Sequence, residues 1–188
     1  LAAYLHVTAK NVNQRIERYA LVLEDLQNSV LVDRIELTPA ECDEMLRALN
    51  GNVYEMTARR RNYLILRLDS YVSDQAANYM PNVLTIEHVL PQTVDAASEW
   101  AQNWPDVDER ALWLHRLANL VPLNRARNSK ALNYDFDRKK SAYFVGTSGV
   151  CSYALTSQVL HTNGWTPTVV AARQDALLDV LQRSWRLA

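Results

Sequence analysis

The stretch Val83-Leu84-Thr85-Ile86-Glu87-His88-Val89-Leu90-Pro91-Gln92 decides the architecture of this chain. After the break at Tyr79-Met80-Pro81-Asn82, its apolar opening reads as a short strand that runs into a loop. A second short apolar stretch, Leu120-Val121-Pro122-Leu123, contains a proline, which restricts it to an edge strand or a strand end. Everything around these two stretches carries helical signals. The prediction is therefore a mainly α protein with a small β-hairpin, of the α+β class.

On the N-terminal side, Ile16, Tyr19, Ala20, Leu23 and Leu26 recur at three- and four-residue intervals and form the apolar stripe of an amphipathic helix. Thr38-Pro39-Ala40-Glu41 supplies a capping box with proline at the first helical position, and Asn50-Gly51 stops that helix. A third helical stretch over residues 53–71 carries Arg59, Arg60, Arg61 and Arg67. Between the two apolar stretches lie an acidic segment with Trp100 and Trp104, then a helical turn over residues 109–115. The three tryptophans here, with Trp113, are read as core or loop anchors. Basic helical pattern follows from Asn124 through Lys130 and again over residues 136–144, and Thr166-Pro167 opens a terminal helix. The expected organisation is a helical part over residues 1–81, a core over 82–145 and a helical part over 146–188, packed as one unit. The chain opens on Leu1 and is read as the C-terminal part of something longer.

Composition removes several function classes. The chain has 188 residues, 48% hydrophobic and 22% charged, which places it among folded globular proteins. Its four glycines are not spaced to form G-x-G-x-x-G or a P-loop, so neither nucleotide cradle is present. Cys42 and Cys151 stand far apart and are expected as buried reduced thiols. No apolar run is long enough to span a bilayer, and a cytoplasmic location with no membrane partner is expected. The net charge of −1 hides a segregation. Residues 17–55 carry nine acidic side chains against three arginines, whereas residues 110–140 carry eight basic ones against Asp135 and Asp137. An anionic partner is expected to meet the second stretch.

Three segments combine metal-binding or proton-moving groups with rigid apolar flanks. They are Ile86-Glu87-His88-Val89-Leu90-Pro91-Gln92, His115-Arg116-Leu117-Ala118-Asn119-Leu120 and Asn124-Arg125-Ala126-Arg127-Asn128-Ser129-Lys130. Together they resemble the HNH nuclease motif, the ββα-metal or His-Me finger. More narrowly, E-H-x-x-P-Q, then H-R-L-x-N-L, then N-S-K and a later basic helix look like the C-terminal nuclease domain of GmrSD-type modification-dependent restriction systems. The phage-defence protein SspE carries a domain of this type. The resemblance implies a ββα-metal finger embedded in a helical domain.

It also implies roles. His88 would be the general base that takes a proton from the attacking water, and Asn119 would orient that imidazole through a hydrogen bond. Glu87 and Asn128 would offer oxygen ligands to one Mg²⁺ or Mn²⁺. His115 would approach phosphate, support the site from behind, or be structural. Glu87 stands where many such enzymes have Asp, Asn128 where many have His, and Ala118 where the narrower family often has Gly.

Arg116, Arg125, Arg127, Lys130, Arg138, Lys139 and Lys140 cluster around these segments and are expected to contact a double-stranded DNA backbone. Arg59, Arg60 and Arg61 form a second cluster that would extend a DNA groove or pair with the acidic helices. No reader of base sequence is recognisable. The expected function is a nicking DNA endonuclease of an anti-phage system, controlled by an N-terminal sensor or NTPase domain. The competing expectations are a catalytically weak DNA-binding module of the same fold and a ribonuclease toxin.

Overall fold

A computed structural model describes residues 1–28, 33–73, 84–124, 134–146, 149–150 and 153–187. In chain order it contains α1 (Ala2–Thr8), α2 (Val12–Gln27), α3 (Pro39–Leu49), α4 (Ala58–Val72), β1 (Leu84–His88), α5 (Glu99–Asn103), α6 (Val107–Leu114), β2 (Leu120–Asn124), α7 (Phe136–Phe144), the two-residue strands β3 (Val145–Gly146) and β4 (Gly149–Val150), α8 (Ala154–Leu160) and α9 (Pro167–Trp185). The fold class is the expected one, mainly helical around a small antiparallel hairpin.

The local signals act as the sequence predicts. Thr38 Oγ1 accepts from the Glu41 N–H while the Glu41 carboxylate accepts from the Thr38 N–H, so both halves of the capping box are present, with Pro39 opening α3. Thr166 caps α9 in the same position relative to Pro167. β1 and β2 pair antiparallel with Ile86 opposite Pro122, Glu87 opposite Val121 and His88 opposite Leu120. A two-stranded ribbon has only edge strands, which is why Pro122 is tolerated inside β2.

Two apolar cores meet at this hairpin. One gathers Leu5, Met45, Leu64, Leu68, Leu177 and Leu181 from α1, α3, α4 and α9 around Ile86 and Leu120. The other gathers Val89, Trp100, Trp104, Val121, Phe136 and Trp165. Trp100 and Trp104 anchor as expected: their indole N–H groups donate to the carbonyls of Tyr134 and Trp165. Cys42 departs from the buried thiol expected of it, being only partly covered at the edge of the first core, and Cys151 lies outside the described residues.

The largest departure from expectation is α2. Its apolar stripe faces outward, with Ile16 at 59%, Leu23 at 58% and Leu26 at 56% exposure, while Val22 and Asp25 are buried. Polar contacts explain the inversion. Arg18 donates to the Glu36 carbonyl and pairs with Glu41, and Arg34 pairs with Asp25 and donates to the Leu21 carbonyl. The polar side of α2 is thus tied to the body, which turns the apolar side to solvent. No described helix is long and apolar enough to cross a membrane.

Candidate functional site

β1 ends in Glu87 and His88, and alternation along a strand sends their side chains to opposite faces. His88 is only 4% exposed. Its Nε2 lies 3.1 Å from His115 Nδ1, and its Nδ1 lies 3.2 Å from Gln92 Nε2. An amide nitrogen can only donate, so with Gln92 in this orientation His88 Nδ1 is the acceptor and Nε2 carries the ring proton, donating to His115 Nδ1. The Nδ1 lone pair, covered by the exposed Gln92 side chain, is the basic site of the pair.

Tyr54, from the 3-10 turn Val53–Glu55, closes the cluster. Its ring packs 4.1 Å from the His88 ring and stacks on His115 at 5.5 Å. Its backbone N–H donates to the His115 carbonyl. Arg61, in the first turns of α4, lays its guanidinium 4.4 Å above the Tyr54 ring and donates to the Tyr54 carbonyl. His115 Nε2 faces Glu55 at 3.9 Å. Burial pushes the His88 pKa down to about 3, and the unfavourable coupling of a protonated His88 with His115, Lys139 and Arg61 adds to the effect. His88 is therefore the neutral, proton-accepting form at pH 7.

Asn119 departs from the role the resemblance implied. It is fully buried and makes no hydrogen bond to the His88 ring. Its Oδ1 accepts from the Leu90 N–H at 2.7 Å and from the Trp165 indole at 3.2 Å. Its Nδ2 donates to the carbonyls of Leu90 and Leu114. The side chain is saturated by backbone and indole partners, which leaves nothing for an imidazole. It works one step back, tying the loop after His88 to the segment that carries His115. Ala118 is held beside it by Gln174 Oε1 and the Arg173 guanidinium of α9. Its φ is not positive, so its methyl group needs no glycine-like backbone.

Lys139 is a second correction. Expected on a DNA-facing surface, it is 1% exposed, and its Nζ donates to the carbonyls of His88 and Val89 at 3.0 and 2.9 Å. It also lies 3.7 Å from Glu87 Oε1. Burial draws its pKa down to about 8, while Glu87 works in the opposite direction. An ammonium enclosed by β1 in this way cannot reach a nucleic-acid backbone. It fixes the strand end that presents the Glu-His pair.

The other expected contacts divide. Arg138 is exposed, with its guanidinium 3.7 Å over the Tyr134 ring. Arg116 is partly exposed over Trp113 and donates to Asn50 Oδ1 at 3.4 Å. Lys140 is half-buried, donating to the Thr162 carbonyl and pairing with Asp137. Arg125, Arg127, Asn128 and Lys130 lie outside the described residues. Among the described residues, no group of three or more His, Cys, Asp or Glu converges to hold a metal. Of the expected ligands the structure describes Glu87, whose partly exposed carboxylate is a hard oxygen donor suited to Mg²⁺ or Mn²⁺.

Sequence reasoning missed Tyr54, Glu55 and Arg61 as members of the site. They lie more than 25 residues from His88, and no spacing signal joins them to it. Gln92 was within the quoted motif, and its tie to His88 needed the turn at Leu90-Pro91 to be seen.

The site is thus a hairpin ending in Glu-His, wrapped by a helical body, with a buried neutral imidazole at the strand end. The sequence profile of the GmrSD restriction endonucleases, C-terminal domain, matches residues 40–180, and the chain belongs to that family. The match runs from α3 into α9 and leaves α1 and α2 outside it. No curated protein and no solved structure matches the chain.

Proposed function

We propose that this domain is a metal-dependent HNH endonuclease that nicks double-stranded DNA, within a cytoplasmic anti-phage restriction system. The observation that carries the reading is His88: a neutral imidazole, gripped at both ring nitrogens, at the end of the hairpin in a restriction-endonuclease family domain. Water taking the place of the Gln92 amide would meet the His88 Nδ1 lone pair, and the anionic phosphate beside the ring would raise the low basicity of the buried imidazole so that it accepts the proton as the oxygen attacks phosphorus. The resulting imidazolium keeps its Nε2–H donated to His115 Nδ1, so the new charge is shared with a neighbour. Glu87 and Asn128 are the residues that would hold one Mg²⁺ or Mn²⁺, which when bound supplies charge stabilisation at the leaving 3′ oxygen. Arg116 and Arg138, with Arg125, Arg127, Lys130 and a partly committed Lys140, would position the backbone. The sensor or NTPase domain that selects the target would belong to another part of the same protein.

Burial of His88 favours one second reading, a DNA-binding or regulatory module that cuts weakly or not at all. A supercoiled-plasmid assay separates the two. Conversion to open circle in Mg²⁺ or Mn²⁺ that is removed by EDTA, by His88→Ala and by Asn128→Ala supports the nickase. Well-folded wild type that binds plasmid but leaves it supercoiled overturns the nickase in favour of the module. Cleavage that requires added NTP in the isolated chain counts against the nuclease acting by itself.

A further inference from the structure

The N-terminal ends of α2 and α4 meet over a cavity of about 280 Å³ whose charged and titratable lining is all basic: His6, Lys10, Arg15, Arg59 and Arg60, with no Asp or Glu among the lining residues. His6 comes from α1, Lys10 from the α1–α2 connection, Arg15 from α2 and the adjacent Arg59 and Arg60 from α4, so the charge is gathered by the tertiary structure. Such a concentration repels itself unless an anion is present.

Three further observations point the same way. Thr57 begins the 15-residue α4 without any side-chain cap, so the positive end of that helix opens into the cavity with no oxygen from its own cap residue. Arg60 is held in place by donating to the Ala9 carbonyl. His6 packs 4.1 Å from the Tyr63 ring, and its Nε2 is buried with no hydrogen-bond partner among the described residues. The volume falls just under the roughly 300–1,000 Å³ typical of sites for drug-sized ligands, which suits a phosphate group and its hydration.

We propose that this cavity is a phosphate-binding site, and that the phosphate it takes is a DNA backbone phosphodiester near the one offered to His88. The second half rests on the nuclease reading above. The link is α4 itself. Arg59, Arg60 and Arg61 are consecutive, and successive helical residues are about 100° and 1.5 Å apart. Arg59 and Arg60 line the cavity, whereas Arg61 turns to the Tyr54 ring that packs on His88. The basic cavity and the imidazole cluster thus flank the same first turn of α4, on different faces of it. Part of the cavity comes from α1 and α2, which precede the residues matched by the family, so this grip on phosphate belongs to the chain and not to the matched segment alone.

The test uses the chain as it stands, in EDTA so that no strand is cut. Binding of a fluorescent duplex is followed by anisotropy across a salt series for wild type, Arg59→Ala and Arg15→Ala, with Arg183→Ala as a control on an exposed helix surface. In parallel, inorganic phosphate is titrated into wild type and Arg59→Ala while the His6 imidazole resonance is followed by NMR. Each cavity variant is expected to weaken duplex binding about 3- to 10-fold near 0.1 M salt and to lower the magnitude of the salt slope by about 0.9 per lost phosphate contact, with the control unchanged.

A His6 shift with phosphate, lost in Arg59→Ala, combined with an unchanged duplex slope would assign the site to a small phosphate compound and overturn the DNA half. Unchanged slopes with no His6 response would overturn the site altogether. Plasmid cleavage by wild type, measured separately, keeps the two proposals distinguishable: cutting that persists in Arg59→Ala with undiminished binding removes this site and leaves the nuclease reading intact.

Discussion

α2 and α9 are both long helices with an apolar stripe, and the protein treats them in opposite ways. α9 buries Val170, Leu177 and Leu181 and even encloses Gln174, whose amide reaches the Ala118 N–H beside the site. α2 leaves Ile16, Leu23 and Leu26 more than half exposed and attaches through arginine pairs. Periodicity shows that a helix has an apolar face. Whether that face is covered depends on which competing contacts the rest of the chain offers. The family match follows the same division, since it takes in most of α9 and leaves out α2.

The contrast is sharpest at Asn119, which joins the Trp165 indole, just ahead of α9, to the hairpin. Asn119→Ala strands the buried Leu90 N–H, Trp165 N–H and Leu90 carbonyl and frees the part-buried Leu114 carbonyl. At about 1–3 kcal/mol for each unsatisfied buried group, partly relieved by relaxation, the expected loss is about 4 kcal/mol, read as a melting temperature lower by roughly 10 °C. Next in size, Leu181→Ala in the first core should cost about 3 kcal/mol in urea unfolding, from lost transfer energy plus a cavity.

An effect that approaches the Leu181→Ala loss by about pH 4 comes from acid. The folded state holds His88 neutral down to about pH 3, whereas an unfolded histidine titrates near 6.5. Between those values the unfolded chain binds the extra proton, so stability is complete above pH 6.5 and falls as the pH drops toward 3, by at most about 1.4 kcal/mol per pH unit. The titratable and charged groups that face His88 are His115, Lys139 and Arg61. His88→Gln should flatten this limb in denaturant titrations run at pH 7, 6, 5 and 4; an unchanged limb would place the acid sensitivity elsewhere. The smallest effect is on the exposed helix, where Leu23→Ser should change unfolding free energy by no more than about 0.5 kcal/mol. A loss comparable to that of Leu181→Ala would break the comparison, because it would mean that the α2 stripe is covered in solution.

Much of the frame was legible in the chain. The capping box at Thr38, the Thr166-Pro167 start of α9 and the apolar stretches around Glu87-His88 and Pro122 are local signals, carried by residues within four positions of one another, and the structure uses each of them. The site was legible only in part. His88 and His115 stood in recognisable segments, but Lys139 read as one more surface cation in the run Arg138-Lys139-Lys140, and only packing against β1 separates it from its neighbours. Tyr54 and Arg61 gave no signal because their partners are distant in sequence.

By itself, then, the sequence determined the capped starts of α3 and α9, the short strands and the order of the Glu-His, His-Arg and Asn-Ser segments, since these rest on backbone preferences and side-chain chemistry that act over a few residues. Tertiary structure alone decided that Asn119 serves the backbone instead of the imidazole, that Lys139 is enclosed, that the stripe of α2 faces water and that five basic side chains surround one cavity. Those outcomes depend on which polar groups find partners when distant segments pack, because a buried donor or acceptor must be satisfied wherever the fold happens to bring one within reach.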